Sequence, residues 1–193
     1  MNWLPDYNYI LASKSPRRQM LLRSLGINFK VKIKEVDEFY PQGMPGTEIP
    51  VYLAKLKALP FSGELTENDL LITADTVVWL DNKVLGKPSD KEEAVEMLQL
   101  LSGKEHQVIS GVCLTSTRNQ KTFYSVSGVN FRELALQEIE YYIETCKPFD
   151  KAGAYGIQEW IGYIGITHIE GSFYNVMGLP VQQLYSEILN FEL

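Results

Sequence analysis

A chain of 193 residues, 45% of them hydrophobic, is long enough to bury a sizeable core, and it is expected to form one domain spanning 1–193, or two lobes sharing one sheet. A net charge of -6 excludes the broad basic surface that a nucleic acid polymer requires, while a small anion in a local basic pocket stays allowed. The two cysteines, Cys113 and Cys146, form no CxxC pair and the two histidines, His106 and His168, form no HExxH, which argues against zinc and disulfide frameworks.

At the N-terminus no basic segment precedes an apolar run, and Pro5 and Asp6 interrupt the run there is, so no signal peptide is expected. No stretch nears the roughly 20 apolar residues that span a bilayer, which predicts cytoplasmic residence and no membrane partner. Tyr7 to Ala12 reads as a short apolar strand. Ser15 followed by Pro16 reads as an N-cap with proline at the first helical position, and the helix through Leu25 stops at Gly26. Arg17 and Arg18 place two cations at the positive end of that helix, where carboxylates are favoured by a few tenths to about 1 kcal/mol. In one reading an anion offsets the repulsion: helix NH groups, the hydroxyls of Ser13 and Ser15 and two guanidiniums make a phosphate site. In the other the arginines are a solvated pair bridged to nearby acids.

Phe29, Val31 and Ile33 alternate with Lys30, Lys32 and Lys34, the signature of a strand with one wet face. Glu35, Asp37 and Glu38 follow in a loop that either holds a hard cation or is simply solvated. Thr47 is expected to cap a helix through Leu59 with the stripe Tyr52, Leu53, Leu56 and Leu59 inward, leaving Lys55 and Lys57 on the surface. Leu70 to Leu80 is the most apolar run, with Asp75 in its middle. A carboxylate there is costly unless paired or metal-bound, which makes Asp75 a stronger site candidate than any surface acid, the other reading being a structural kink or hairpin. Asp81-Asn82 reads as a turn into a second strand ending near Gly86, and Ser89-Asp90-Lys91-Glu92 as a capping box opening a helix with Ala94, Leu98 and Leu101 inward.

His106 to Thr115 and Thr122 to Arg132 read as a long strand pair, and Leu136 to Cys146 as a helix that stops before Pro148. The run Phe149 to Gln158 is rich in small residues, suited to close approach of a ligand or to a tight connection. Trp160 to Ile169 reads as strand, Glu170-Gly171 as a turn, and Pro180 opens the closing helix with Leu184 and Ile188 as its seam. Walker A, GxGxxG and GxSxG patterns are missing, so chemistry on phosphates here would rely on carboxylates, lysines, arginines and a metal.

Taken in order, Ser13-Lys14-Ser15-Pro16-Arg17-Arg18, Glu38, Ala74-Asp75-Thr76, Gly86-Lys87-Pro88, Asp150 to Gln158 and Asn175 to Pro180 resemble the Maf family of nucleotide pyrophosphatases, from about residue 8 to 190. The resemblance implies an α/β fold, an elongated twisted mixed sheet flanked by helices in two lobes around a cleft, similar to inosine triphosphate pyrophosphatase. It implies metal-dependent splitting of a nucleoside triphosphate into monophosphate and pyrophosphate, with magnesium or manganese as cofactor. By that resemblance Asp75 is the proton acceptor and Glu38 a metal ligand with it. Ser13 and Arg18 fall in the phosphate cradle, and Lys57 and Lys87 are its lysines. Arg17, Thr76 and Gln158 match the substrate-selecting set of the branch that takes dTTP and UTP. Alternatives left open are a 7-methyl-GTP or modified-nucleotide substrate, a nucleotide-binding regulator of septum formation, and assembly as a homodimer.

Overall fold

The computed structural model describes residues 4–193. The chain forms two compact units, one made of the chain up to Asp75 with Ser110–Ser125 and Gly178–Leu193, the other of Thr76–Ile109 and Val126–Met177. In chain order the elements are β1 (Asn8–Leu11), α1 (Pro16–Ser24), β2 (Phe29–Val31), α2 (Glu48–Ala58), β3 (Asp69–Leu80), β4 (Lys83–Leu85), α3 (Lys91–Leu101), β5 (Glu105–Thr115), β6 (Gln120–Phe131), α4 (Leu136–Cys146), α5 (Trp160–Gly165), β7 (Ile166–Glu170), α6 (Phe173–Val176) and α7 (Val181–Leu189). The strands make one mixed seven-stranded sheet in the order β2-β1-β3-β5-β6-β7, with β4 paired to β3. Parallel pairing joins β1 to β2 and to β3; antiparallel pairing joins β3 to β4 and β6 to β7.

In the first unit, Ser15 caps α1 by accepting the Arg18 backbone N–H, Pro16 occupies the first turn, and Gly26 at φ 76° ends it, as the sequence predicts. The predicted strand from Phe29 to Lys34 is shorter than expected. Pairing lasts only to Val31, and Lys34 turns its ammonium onto Pro60 O at 2.6 Å and the Glu64 carboxylate, above the Phe61 ring. Helix α2 presents a different face from the predicted one. Ile49, Pro50, Leu53, Ala54 and Ala58 are buried, whereas Tyr52 and Leu59 are exposed. The reason is close packing on the sheet. Thr73 Oγ1 donates to Ala54 O at 2.7 Å, and Gly111 lies so near the helix that a Cβ would stand 2.3 Å from the Pro50 carbonyl carbon. Ile10, Ala54, Ala58, Phe61, Leu71 and Cys113 share that core. Burying a side chain such as Leu71 contributes about 1.5 to 3 kcal/mol, and the small Ala54 and Ala58 let the helix come close enough to cover it, with Leu53 of the predicted stripe buried beside them and Leu56 half-buried.

In the second unit, Asp81 and Asn82 both adopt positive φ, the geometry of a tight hairpin turn between β3 and β4. Asp90, not Ser89, is the cap of α3: its carboxylate accepts the Glu93 N–H at 2.8 Å while Glu93 accepts the Ser89 N–H at 2.7 Å. Helix α4 has the predicted bounds and buries Ile139, Tyr142 and Ile143. Trp160–Gly165 is helix where strand was predicted, and only Ile166–Glu170 is strand. Gly162 explains the difference. A Cβ there would sit 1.8 Å from Ile157 O, so this turn of chain packs against the preceding loop in a way no pleated strand allows. Asn175, fully buried, donates to Val108 O and Ser127 Oγ at 3.0 Å each and fixes the segment after β7.

His106 is buried against Phe131, with Nε2 2.7 Å from the Tyr155 hydroxyl, and burial pushes its pKa down from 6.5 to about 4. The neutral ring is the form the fold accepts. Because the unfolded chain binds the proton more readily, stability is full above pH 6.5 and is lost as pH falls towards 4. His106→Gln is expected to flatten the fall in thermal midpoint between pH 7 and pH 4.5 relative to wild type. The titration is worth about 2 to 3 kcal/mol at the acid end. Parallel pH profiles for the two proteins would remove His106 from that role.

Candidate active site

The first unit gathers most of the residues singled out in the sequence. Asp75 lies on β3 with 8% of its surface exposed, inside the most apolar strand, and Lys57 crosses to it from α2 with its Nζ 2.5 Å from Asp75 Oδ1. The same ammonium is 3.1 Å from Glu38 Oε1, on the loop that follows β2. Lys57 is thus a half-buried hinge between two carboxylates, and its predicted place on the surface is corrected by the rotation of α2 described above.

Arg18 projects from the first turn of α1 and forks between two buried carbonyls. Its Nε donates to Gly178 O and its terminal nitrogen to Ala74 O, each at 2.8 Å. Burial lowers the pKa of the guanidinium, and the charges of Asp75 and Glu38 oppose that shift. Arg17 stands beside it on the same turn. Ser13 is buried and accepts the Ser15 N–H on Oγ at 3.2 Å; Gln19 Nε2 donates to Ser13 O. The turn from Ser13 to Arg18 is therefore tied to the residue that precedes Asp75.

Thr76, Lys87 and Gln158 belong to the second unit. Thr76 follows Asp75 along β3. Lys87 is exposed, and its neighbour Gly86 accepts the Gly153 N–H at 2.9 Å, which brings the Gly86-Lys87-Pro88 turn against the small-residue loop. In that loop Gly153 and Ala154 both hold positive φ, and a Cβ on Gly153 would press on Val78 at 2.9 Å. Gln158 is half-buried with its Oε1 buried and without a hydrogen-bond donor. An orphaned acceptor at the end of a constrained loop is suited to receiving an N–H from a ligand.

Three residues that the sequence reading passed over also stand in this loop's support. Tyr142, Lys151 and Glu159 form a buried polar chain beneath Gln158. The acid one place after Gln158 was the available signal. Among the described residues no group of three or more His, Cys, Asp or Glu side chains converges as a metal cage. Glu38 and Asp75, two hard oxygen donors drawn to one cation, nevertheless suit magnesium or manganese, which take few protein carboxylates and complete their shell with phosphate and water.

The sequence profile described as Maf-like protein matches residues 8–191. The chain is 55% identical over 186 residues to a dTTP/UTP pyrophosphatase of Bacteroides thetaiotaomicron, covering 96% of each chain. It is 51% identical over 189 residues to a dTTP/UTP pyrophosphatase of Parabacteroides distasonis, covering 97% of this chain and 98% of that one. Among solved structures, a HAM1 protein from Coxiella burnetii has a TM-score of 0.52 at 15% identity, covering 96% of this chain and 100% of that one, a likeness of fold.

Arg18→Ala would remove both of these charge-assisted bonds to buried residues, and a lysine could not reproduce the fork. Both substitutions are expected to destabilise the first unit, Arg18→Ala by about 2 to 4 kcal/mol. Urea unfolding measures this, and an unchanged midpoint would show that the fork carries no stability.

Proposed function

The chain belongs to the Maf family, and from that premise we infer that it is a nucleoside triphosphate pyrophosphatase that splits dTTP and UTP into monophosphate and pyrophosphate. The observation that carries the mechanism is the Lys57 ammonium shared by Asp75 and Glu38. A carboxylate buried in an apolar strand, oriented by a hydrogen bond and open to a cationic neighbourhood, is the arrangement needed to take a proton from an attacking water. That water's oxygen bonds to the α-phosphorus and the bridge to the β-phosphorus breaks. Pyrophosphate leaves with the electron pair, and the proton passes to Asp75.

The triphosphate brings about four negative charges, and preorganised cations stabilise the charge that builds in the transition state. In this reading Ser13, Ser15, Arg17 and Arg18 cradle phosphate oxygens, Lys57 holds the Asp75 carboxylate in orientation, and Lys87 supplies a further positive charge. Glu38 and Asp75 would hold magnesium or manganese, which when bound neutralises phosphate charge and polarises a phosphoryl oxygen. Thr76 and Gln158 select the base. Uracil and thymine present an imide N–H beside a carbonyl, and the Gln158 amide offers the complementary acceptor and donor. No helix among the described residues is long and apolar enough to cross a membrane. Action in the cytoplasm is part of the same proposal.

The deciding test is a nucleotide panel with magnesium or manganese, read by chromatography. Conversion of dTTP and UTP to monophosphate and pyrophosphate is expected. Orthophosphate with diphosphate as products, or preference for 7-methyl-GTP, would displace this reading, and binding without turnover would favour the regulator. Asp75→Asn keeps shape and hydrogen bonding while removing the base, so kcat should fall about 100- to 10,000-fold with affinity for a non-hydrolysable triphosphate retained. Near-normal kcat in that variant would place the base elsewhere.

A further inference from the structure

Beneath Gln158 lies a buried ionic network that the reaction above leaves unused. Lys151 is only 7% exposed, yet its ammonium meets Asp150 at 2.7 Å and Glu159 at 3.0 Å. Glu159 turns its other oxygen, Oε2, to accept the hydroxyl of Tyr142, which is fully buried on α4. That hydroxyl in turn accepts the Gly156 N–H at 2.9 Å. The Glu159 N–H returns to Gly156 O at 2.9 Å, closing the turn that carries Gln158. Desolvating a lysine and a glutamate costs several kcal/mol each, and apolar packing would often serve stability as well. Charges placed here call for a role in specifying geometry.

The geometry indicates which. A Cβ on Gly156 would stand 2.9 Å from Glu159 Oε2 and 3.1 Å from Gln158 Nε2, so the carboxylate and the amide nitrogen flank the same point. The Glu159 carboxylate and the Gln158 amide nitrogen are thus neighbours across Gly156, and an amide oxygen turned into that position would meet negative charge. The Gln158 Oε1 is buried and receives no hydrogen bond.

Orientation is what base choice turns on. Uracil and thymine offer a ring N–H beside a carbonyl, whereas cytosine offers a ring nitrogen acceptor beside an amine. A glutamine amide fixed one way matches the first pair and opposes the second; an amide free to rotate by half a turn serves both. We propose that Lys151, Glu159 and Tyr142 are positioning residues that lock the Gln158 amide in one orientation, and that this lock is what makes the enzyme discriminate uracil- and thymine-bearing triphosphates from cytosine-bearing ones. The proposal rests on Gln158 being the base contact.

The test compares kcat and KM for UTP, dTTP and CTP in the full-length protein, as wild type and as Glu159→Gln, Tyr142→Phe and Gln158→Ala, with thermal midpoints measured for each. Glu159→Gln keeps the shape and removes the charge. Tyr142→Phe removes one hydroxyl, and it serves if the first variant does not fold. Both are expected to reduce the UTP-to-CTP ratio of kcat/KM by about tenfold or more, through a higher KM for UTP and a lower one for CTP, with kcat for UTP within a few-fold of wild type. Loss of the ratio in Gln158→Ala but not in either positioning variant overturns the lock and leaves the base contact standing. An unchanged ratio in Gln158→Ala removes the base contact, and the lock with it. A uniform loss across all three nucleotides marks the network as structural only and also overturns the proposal.

Discussion

The negative charge of Asp75 in the middle of β3 is the constraint on which the first unit depends. An ionised carboxylate among Leu70, Leu71, Ile72, Ala74, Val77 and Val78 is tolerable only with a partner, and the partner is Lys57, reaching from α2. Pointing Lys57 at the sheet settles the rotation of α2. Residues one turn away, Leu53 and Ala54, face inward with it, and Tyr52 and Leu59 are left in solvent. The close approach then requires small residues: Ala54 and Ala58 on the helix and Gly111 on β5, where any side chain would strike the Pro50 backbone. One polar pair thus dictates apolar choices over three elements.

The same charge accounts for the turn from Ser13 to Arg18. Two arginines at the start of α1, with no acidic residue in its first turn, oppose the helix dipole. Arg18 escapes that conflict by spanning Gly178 O and Ala74 O, so its charge is carried towards Asp75 and away from the helix axis. The guanidinium is buried, and its two backbone bonds make it a structural strut that lies in the field of Asp75 and Glu38. In a site for phosphates that arrangement is economical, because a cation already fixed in place needs little reorganisation when charge develops.

Elements whose signals are local were legible in the sequence: the Ser15 cap, the hairpin at Asp81-Asn82, and α4, whose apolar seam repeats cleanly from Ile139 to Ile143. What escaped depends on partners distant in sequence. Lys57 looks like a surface lysine until Asp75, 18 positions on, is set beside it. The alternation of Phe29, Val31 and Ile33 is real, but β2 is an edge strand, and Lys34 finds better partners in Pro60 O and Glu64 than further pairing would give it. Trp160 to Gly165 has the aromatic and β-branched content of a strand, while the spacing of Gly162 and Gly165, which only a helix places on one side, is read correctly only once the Ile157 carbonyl is known to lie against it. Asp75 and the turn from Ser13 to Arg18 were singled out by local physics, whereas Lys57, Lys87, Thr76 and Gln158 became candidates only through the order of motifs along the chain. Gln158 in particular carries no distinguishing pattern of its own.

On the proposed function, chemistry and selection fall to different kinds of structure for a physical reason. The bond to be broken is the same in every nucleoside triphosphate, so Asp75, Glu38 and Lys57 have no means of telling one nucleotide from another. Their needs are charge and a fixed distance, and a central strand and a helix packed on it supply both. Selection needs a polar edge matched to within the reach of two hydrogen bonds, presented on backbone that can come close to a planar ring. A loop of Gly153, Ala154 and Gly156, with two residues in the left-handed region, offers that approach but is soft by composition. Buried ion pairs are an expensive way to stiffen a loop, and they become worthwhile where a half-turn of one amide would reverse which base is accepted. The Lys151, Glu159 and Tyr142 chain ties down the turn that carries Gln158, which is where such stiffness would be needed if that amide reads the base.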